Sequence, residues 1–506
     1  MRPGWWRPLV ALIAGGGQVL AFAPWGWWFV QPAALLALLL SLPPKASADG
    51  RPIRTAAWQG FWFGLGWFGS GLWWLYISLH DFGGLPPPLA GLALLGLFAF
   101  LALYPAGALA LWVGLRPRLK PRWAAISFAS CWLLGELARA TWWTGFPWIA
   151  TGYAHTAGLW SVWAPWIGVY GIGFLAAWMA AAGLDVRDRR WGLALWPLAV
   201  AVGGWGLPQE FTESQGTVSL TLLQPNVAQA QKFDPVWMDR QFDALLLQIE
   251  AAPTGVVITP ESVLPVPLSL MTPEQQDRVA RASQGRALLL GSFRGSYAEG
   301  WVNSLLGFQE GQAVYAYGKR HLLPFGEFIP PGFGWFVRAL NIPMDDQETG
   351  RHQQPWVVGG QRLRPLICYE DLFGEDVVAS ALDGPDAATI WVNASNLAWF
   401  GPRVIQDQHL QFSQMRALEF QRPIVRSTNT GATAWVDHRG VIRARLPAEV
   451  SGQLSVTPEG RLGVTPYARW LATLGLAPLW AVALLPLGGV WRRRAKNPPG
   501  RPVARP

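Results

Sequence analysis

Three short stretches hold residues that together could carry out covalent chemistry. In RPLICYEDLF, residues 364–373, a strand-like run ends in Cys368 and an acidic, helix-starting run follows at once. A thiol at such a corner is expected to feel the positive end of a helix dipole, to ionise below its free value of about 8.5 and so to act as a nucleophile. Nucleophilic catalysis also needs a base to move protons and a fixed donor for the developing oxyanion. VVITPES places Glu261 just past another apolar run, and AVYAYGKRHLLPFGEF places Lys319 just past a third. Taken singly, a free cysteine is most often a small core residue and a lone Glu or Lys a surface charge. The shared strand-end setting is what sets these three apart.

The elements that must position them fall into two kinds. Hydrophobic residues make up 51% of the chain, with 33 Trp and only 14% charged residues, against about 25% charged in soluble domains. This composition predicts an integral membrane protein. Apolar runs of near-spanning length fall at 8–22, 27–42, 56–77, 89–115, 123–138, 160–183, 191–207 and 467–491, which gives about eight transmembrane helices at roughly 20 residues per span. The first two leave little room for full helices. Arg2, Arg7 and Ala21-Phe22-Ala23 mimic a cleavable signal peptide, but Pro24 argues against removal.

Positive charge clusters in alternate loops: Lys45, Arg51 and Arg54, then Arg116, Arg118, Lys120 and Arg122, then Arg187, Arg189 and Arg190, and finally Arg492, Arg493, Arg494 and Lys496. By the positive-inside rule both termini face the cytoplasm. The net charge of +9 is then a topology signal and an attraction to anionic lipid, and nucleic acid is not an expected partner. Residues 1–207 hold spans one to seven, 208–466 form a domain outside the cytoplasm, 467–491 form span eight, and 492–506 form a basic cytoplasmic tail.

Within 208–466 the texture changes. Period-2 apolar runs at 217–224, 255–259, 286–293, 313–317, 363–367 and 387–393 read as strands. Thr272-Pro273-Glu274-Gln275 supplies a capping box and a Pro at the first helical position, and 403–421 reads as a second helix. Alternating strands and helices predict an α/β domain with a layered sheet. Of the two cysteines, Cys131 sits in the fifth apolar run and Cys368 in the outside domain, so no mutual disulfide is expected. Glu136 and Arg139, three apart near the end of that run, are expected to pair, with a bound lipid head group as the alternative. Histidine spacing suggests no metal site, and no cofactor is implied.

In this order, Glu261, Lys319 and Cys368 resemble the Glu-Lys-Cys triad of the nitrilase (carbon-nitrogen hydrolase) superfamily. YGKRHLLPFGEFIP, ICYE, NLAWFGP and MRALEFQRPIVRSTNTG, with GFPWIATGY at 145–153, are similar to its apolipoprotein N-acyltransferase branch. The resemblance covers essentially the whole chain and implies an extracytoplasmic nitrilase-like αββα sandwich on a multi-span base in a bacterial inner membrane, with the catalytic domain on the periplasmic side. It implies that a phospholipid donates its sn-1 acyl chain to Cys368. The N-terminal amine of a diacylglyceryl-modified apolipoprotein then takes that chain from the thioester.

On the same resemblance, Glu261 moves the protons, and Lys319 with a backbone N–H near Tyr369 holds the oxyanion. Glu327 matches a family glutamate that orients Lys319 or the thiol, with an ordinary loop carboxylate as the alternative; Tyr369 and Glu370 match positions that shape the pocket, though Glu370 could instead simply complement the helix N-terminus. Phe233 stands where a Trp is expected near the substrate site, and Leu397 stands where an Asp is common after Asn396, itself a candidate substrate-binding residue or a simple turn former. FIPPGFGWFVRALNIPM, residues 328–344 with Trp335, is an aromatic stretch of the kind soluble enzymes rarely expose, which reads either as a mobile arm at the bilayer surface or as core packing against the last span. Membrane lipids are the expected surroundings and a monomer the expected state. A membrane-tethered amidase acting on a small amide is the alternative, and a silent membrane scaffold or transporter the third reading.

Overall fold

The computed structural model describes residues 6–43, 52–253, 255–332, 334, 346–402 and 404–496. The chain forms two compact units. One comprises residues 1–73, 92–208 and 474–506, and the other 74–91 and 209–473. The segment 74–91, which joins the third and fourth apolar runs in sequence, groups with the second unit.

The first unit is helical. The apolar runs fold as Trp6–Gly17, Val30–Ser41, Pro52–Gly71, Pro87–Leu115, Ala124–Thr141, Ala164–Arg187 and Trp191–Gly203. The last run is broken: Pro466–Leu474 and Ala477–Lys496 are separate helices, with Gly475 at a φ of +56° between them. Among the described residues two helical stretches, Pro87–Arg118 and Ser161–Arg187, are long and apolar enough to cross a membrane, or three if the broken pair is one span. Val30–Ser41, with 12 residues, rises only about 18 Å of the roughly 30 Å a bilayer core requires. Large apolar side chains such as Leu92, Leu103, Trp191 and Trp196 are exposed on these helices, as lipid contact demands.

Small residues set the packing of this unit. A Cβ on Gly15 would lie 1.9 Å from the Phe63 carbonyl oxygen, and one on Gly66 would lie 2.1 Å from that of Leu12. The first and third helices therefore touch backbone to backbone. Glu136 and Arg139 pair at 3.7 Å, as expected. They also hold the GFPWIATGY loop, because Glu136 accepts from the N–H and hydroxyl of Thr151 while Arg139 donates to the carbonyls of Phe146 and Trp148.

The second unit is built on fourteen strands among the described residues: β1 (Thr212–Thr217), β2 (Leu220–Gln224), β3 (Val256–Ile258), β4 (Ala287–Ser296), β5 (Gly300–Gln309), β6 (Gln312–Gly318), β7 (Trp356–Val358), β8 (Gln361–Ile367), β9 (Ile390–Ser395), β10 (Ile424–Thr428), β11 (Ala434–Val436), β12 (Ile442–Arg445), β13 (Gly452–Val456) and β14 (Glu459–Gly463). Two six-stranded sheets run β13-β2-β3-β4-β5-β6 and β12-β11-β10-β9-β8-β7, and β1 pairs with β14. In each large sheet the central strands are parallel and the edges antiparallel.

Strand alternation explains the layers. Leu222, Ile258 and Leu289 point inward and meet Leu363, Ile367 and Val392 of the other sheet in one core. Their neighbours Leu223, Val257, Leu288 and Leu290 point outward against Phe242 and Ile249 of helix Pro235–Ala251 and Val279 of helix Pro273–Ala282. On the outer face of the second sheet, Trp391 packs edge-on against Phe420 of helix Val404–Phe420. Strands covered on both faces read as continuous apolar runs, and the result is an αββα sandwich. The capping box forms as expected, with Gln275 N–H on Thr272 Oγ1 at 3.2 Å and Thr272 N–H on Gln275 Oε1 at 3.1 Å.

Candidate active site

Strand ends from both sheets converge on a small cluster of buried charge. Glu261 follows β3, Lys319 follows β6 and Cys368 follows β8. Lys319 is 1% exposed. Its Nζ lies 2.7 Å from Glu327 Oε1 and 3.5 Å from Glu261 Oε1. Asn303 on β5 joins the two carboxylates, donating to Glu261 Oε1 at 2.8 Å and to Glu327 Oε1 at 3.3 Å. The second oxygen of Glu261 accepts from the backbone N–H of Asn396 at 2.8 Å, and that of Glu327 accepts from Leu323 N–H at 2.8 Å. Burial works against a charge on Lys319, but Glu327 and Glu261 outweigh it and hold the ammonium above its usual range.

Cys368 is partly exposed and close enough that Glu261, Lys319 and Glu327 all act on its thiol. The direction differs from the sequence expectation. Burial first, and then the negative charge of Glu261 and Glu327, push the thiol well above its usual range, with Lys319 only partly opposing them. The helix after Cys368 is a five-residue 3-10 turn, Cys368–Leu372, too short to supply the dipole that was to ionise it. Burial and carboxylate charge both favour the protonated thiol.

Backbone geometry at the site is strained. Cys368 has a φ of +52°, Ser262 beside Glu261 a φ of +44°, and Phe325 near Glu327 a φ of +59°, each a conformation that costs a non-glycine residue about 1–3 kcal/mol. Close approach helps to impose it. A Cβ on Gly291 would lie 2.0 Å from the Pro260 carbonyl oxygen, so only glycine lets β4 brace the turn that carries Glu261.

The remaining expected residues divide. Glu370 is 2% exposed and does more than complement a helix end. It accepts from the N–H of Ile367 at 2.7 Å, from the N–H of Arg320 at 2.7 Å and from Tyr317 Oη at 2.8 Å, and so ties the residue before Cys368 to the residue after Lys319. Tyr369 is 1% exposed and packs its ring against Phe373 and His321; its side chain is part of this aromatic packing. Asn396 enters through its backbone, while its side chain bonds Gln229 and Asn429. Phe233 is half exposed, its ring 6.4 Å from Trp399. Trp335 and residues 336–344 of the aromatic stretch lie outside the described residues. The flanks of that stretch meet beside Glu327, where Gln347 N–H donates to the Glu327 carbonyl at 2.8 Å and Ile329 N–H to Asp346 Oδ1 at 2.8 Å.

Sequence reading missed Asn303 and Lys232. Asn303 is a polar position inside WVNSLLGF, a signal that was available had β5 been recognised. Lys232 is 3% exposed and donates to Ser262 Oγ at 2.8 Å. Burial lowers its pKa to about 8, with Glu261 partly opposing the shift, and nothing in QKFDP announces a buried lysine.

Comparison with known proteins bears on both units. Residues 14–182 match the apolipoprotein N-acyltransferase N-terminal domain, and residues 284–458 match the carbon-nitrogen hydrolase family. An apolipoprotein N-acyltransferase of Ralstonia nicotianae is 42% identical over 501 residues, spanning 96% of this chain and 93% of its own. One from Verminephrobacter eiseniae is 42% identical over 514 residues, spanning 93% and 94%, and one from Azotobacter vinelandii is 36% identical over 526, spanning 98% and 97%. Relatives this similar along nearly their whole length place the chain in the apolipoprotein N-acyltransferase family.

Proposed function

We propose that the protein moves a fatty acyl chain from a phospholipid to the N-terminal amine of a diacylglyceryl-cysteine apolipoprotein through a thioester on Cys368. The observation that carries this reading is a thiol on a strained strand end, coupled to one buried ammonium clamped between two carboxylates. A thiol held protonated needs a base for attack, and Glu261, whose charge already acts on it, is the group assigned that role. As sulfur adds to the sn-1 ester carbonyl, the thiol proton passes to Glu261. The tetrahedral oxyanion is met by Lys319 and by the backbone N–H of Tyr369. Collapse expels the lysophospholipid alkoxide, which takes the proton from Glu261. The acceptor amine then attacks the thioester and gives a proton to Glu261, and the sulfur leaves and recovers it.

Glu327 and Asn303 keep Lys319 and Glu261 in register through both halves. A thioester reacts with amines in preference to water when the site is kept dry, and the burial of Lys319 and Glu261 supports that. The amidase alternative is not favoured by relatives that span the whole chain under an acyltransferase name. The apolar helices with exposed Leu and Trp, together with the loop distribution of Lys and Arg, support a multi-pass protein of the inner membrane with its sandwich on the periplasmic face. On this reading the shorter apolar helices complete the eight spans, and the protein works as a monomer.

Intact mass spectrometry tests the cycle. Incubation with phospholipid alone should add one acyl mass at Cys368, and a diacylated lipopeptide should discharge it and gain the same mass. Transfer to the lipopeptide that persists in Cys368→Ala would end the proposal.

A further inference from the structure

Behind the nucleophile lies a fully buried polar cluster that the reaction above leaves unused. His409, on helix Val404–Phe420, and Asp371 and Arg426 are each 0% exposed. Arg426 donates to His409 Nδ1 at 2.8 Å and to Asp371 Oδ2 at 2.9 Å. A guanidinium has no acceptor, so Nδ1 of the ring must be the bare nitrogen and Nε2 must carry the hydrogen. That nitrogen lies 3.1 Å from the carbonyl oxygen of Cys368 and 3.1 Å from Asp371 Oδ1. Burial keeps the ring neutral, Asp371 only partly offsetting it, which agrees with this tautomer. From β9, Asn393 Nδ2 donates to the same Cys368 carbonyl at 3.1 Å, with its own amide oxygen held by Ser395 Oγ at 2.5 Å.

The Cys368 carbonyl and the Tyr369 N–H belong to one planar trans peptide, in which the two bonds point in opposite directions. Two donors that draw the carbonyl toward the body of the domain therefore turn the N–H away from it. We propose that His409, its tautomer set by Arg426, and Asn393 are positioning residues that fix the Cys368–Tyr369 peptide so that the Tyr369 N–H serves as the second oxyanion donor. Without them Cys368, held at a φ of +52°, is free to relax toward an ordinary conformation, and the donor rotates off its target. The inference rests on the thioester reading above and extends it to residues that touch neither substrate.

The experiment compares two reactions of the same sulfur in the full-length protein. Acylation by phospholipid passes through an oxyanion, whereas alkylation by iodoacetamide is a direct displacement that forms none. His409→Ala is expected to slow acyl-enzyme formation by about tenfold to a hundredfold, short of the 10²–10³ lost when an oxyanion donor is deleted outright. Alkylation of Cys368, followed on its own peptide, should stay within about twofold of wild type, since no oxyanion donor acts on it. His409→Gln, whose amide N–H can reach the same carbonyl, should recover most of the lost rate. Should His409→Ala fail to fold, Asn393→Ala removes the other donor to that carbonyl and is read in the same way. Unchanged acylation, or acylation and alkylation falling together, would overturn the inference. Failure of the wild-type protein to form any thioester would instead overturn the reading beneath it.

Discussion

Replacing Glu327 with Gln is expected to move two properties of the site in opposite directions. Glu327 accepts from Lys319 at 2.7 Å and from Leu323 N–H at 2.8 Å, and its charge helps keep the Cys368 thiol protonated. Gln preserves the shape and one acceptor for Lys319, but removes the charge and turns an NH2 group toward the Leu323 N–H. The bond from the Lys319 ammonium then ends on a neutral carbonyl instead of a carboxylate, a loss of about 1–2 kcal/mol. Acylation, which needs the ammonium held in place, should fall by about fivefold to thirtyfold, since every 1.36 kcal/mol is a factor of ten. The thiol meanwhile moves back toward its ordinary range, and each unit it moves gives about tenfold more thiolate at neutral pH. Iodoacetamide at pH 7 should therefore label Cys368 faster in the variant, while intact-mass acylation by phospholipid runs slower. Labelling equal to or slower than wild type, in a variant with unchanged melting, would show that the Glu327 charge does not govern the thiol, and the electrostatic account of the site would be wrong.

In the wild-type protein, labelling of Cys368 should keep rising with pH through about 9 with no plateau near neutrality, because a raised thiol stays protonated across that range. A plateau below about pH 8 would mean a thiolate at rest. Glu370→Gln keeps the side-chain shape but sets an NH2 group against backbone donors on one side of the Lys319–Cys368 tie, and should cost about 1–3 kcal/mol, read by thermal unfolding together with slower acylation. For Lys232 the sign runs against the habit of surface lysines. Its folded value of about 8 lies below the ordinary 10.5, so the unfolded chain holds the proton more tightly and wild-type stability should rise with pH between those values. Lys232→Met should therefore melt higher than wild type at pH 7, by up to about 3 kcal/mol of stability, with the gap closing as pH rises toward 10.5. A gap independent of pH would exclude a buried ammonium as its source.

The catalytic unit was legible in the sequence where burial on both faces leaves uninterrupted apolar runs. GVVIT, AVYAY and LRPLI became β3, β6 and β8, and a residue one or two positions past each run, Glu261, Lys319 or Cys368, is the one that carries the chemistry. β5 escaped because WVNSLLGFQ mixes Asn and Ser into its apolar run, and with it went Asn303, the link between the two carboxylates. The state of the thiol was misread because a short acidic segment after a strand looks like a helix start, whereas five residues of 3-10 turn carry little dipole. Burial and neighbouring charge, which no spacing reveals, decided the matter. The segment 74–91 looked like a span end and its loop, yet Trp74 stacks edge-on with Phe400 and donates to Gln408, and Phe82 meets Trp399. Such partners are more than 300 residues away in sequence and leave no local trace.

The site also straddles the seam of the sandwich. Glu261, Asn303 and Lys319 hang from one sheet, while Cys368, Asn396 and Asn393 hang from the other. Each half of the fold thus owns only part of a reactive constellation, and the glue between the halves, from the apolar core to the Ser427 hydroxyl that reaches across to the Leu223 and Ile258 carbonyls, is what assembles it. Warming that loosens this seam by a fraction of an ångström should silence the enzyme while its strands are still fully formed, so heat inactivation ought to precede the loss of far-ultraviolet ellipticity.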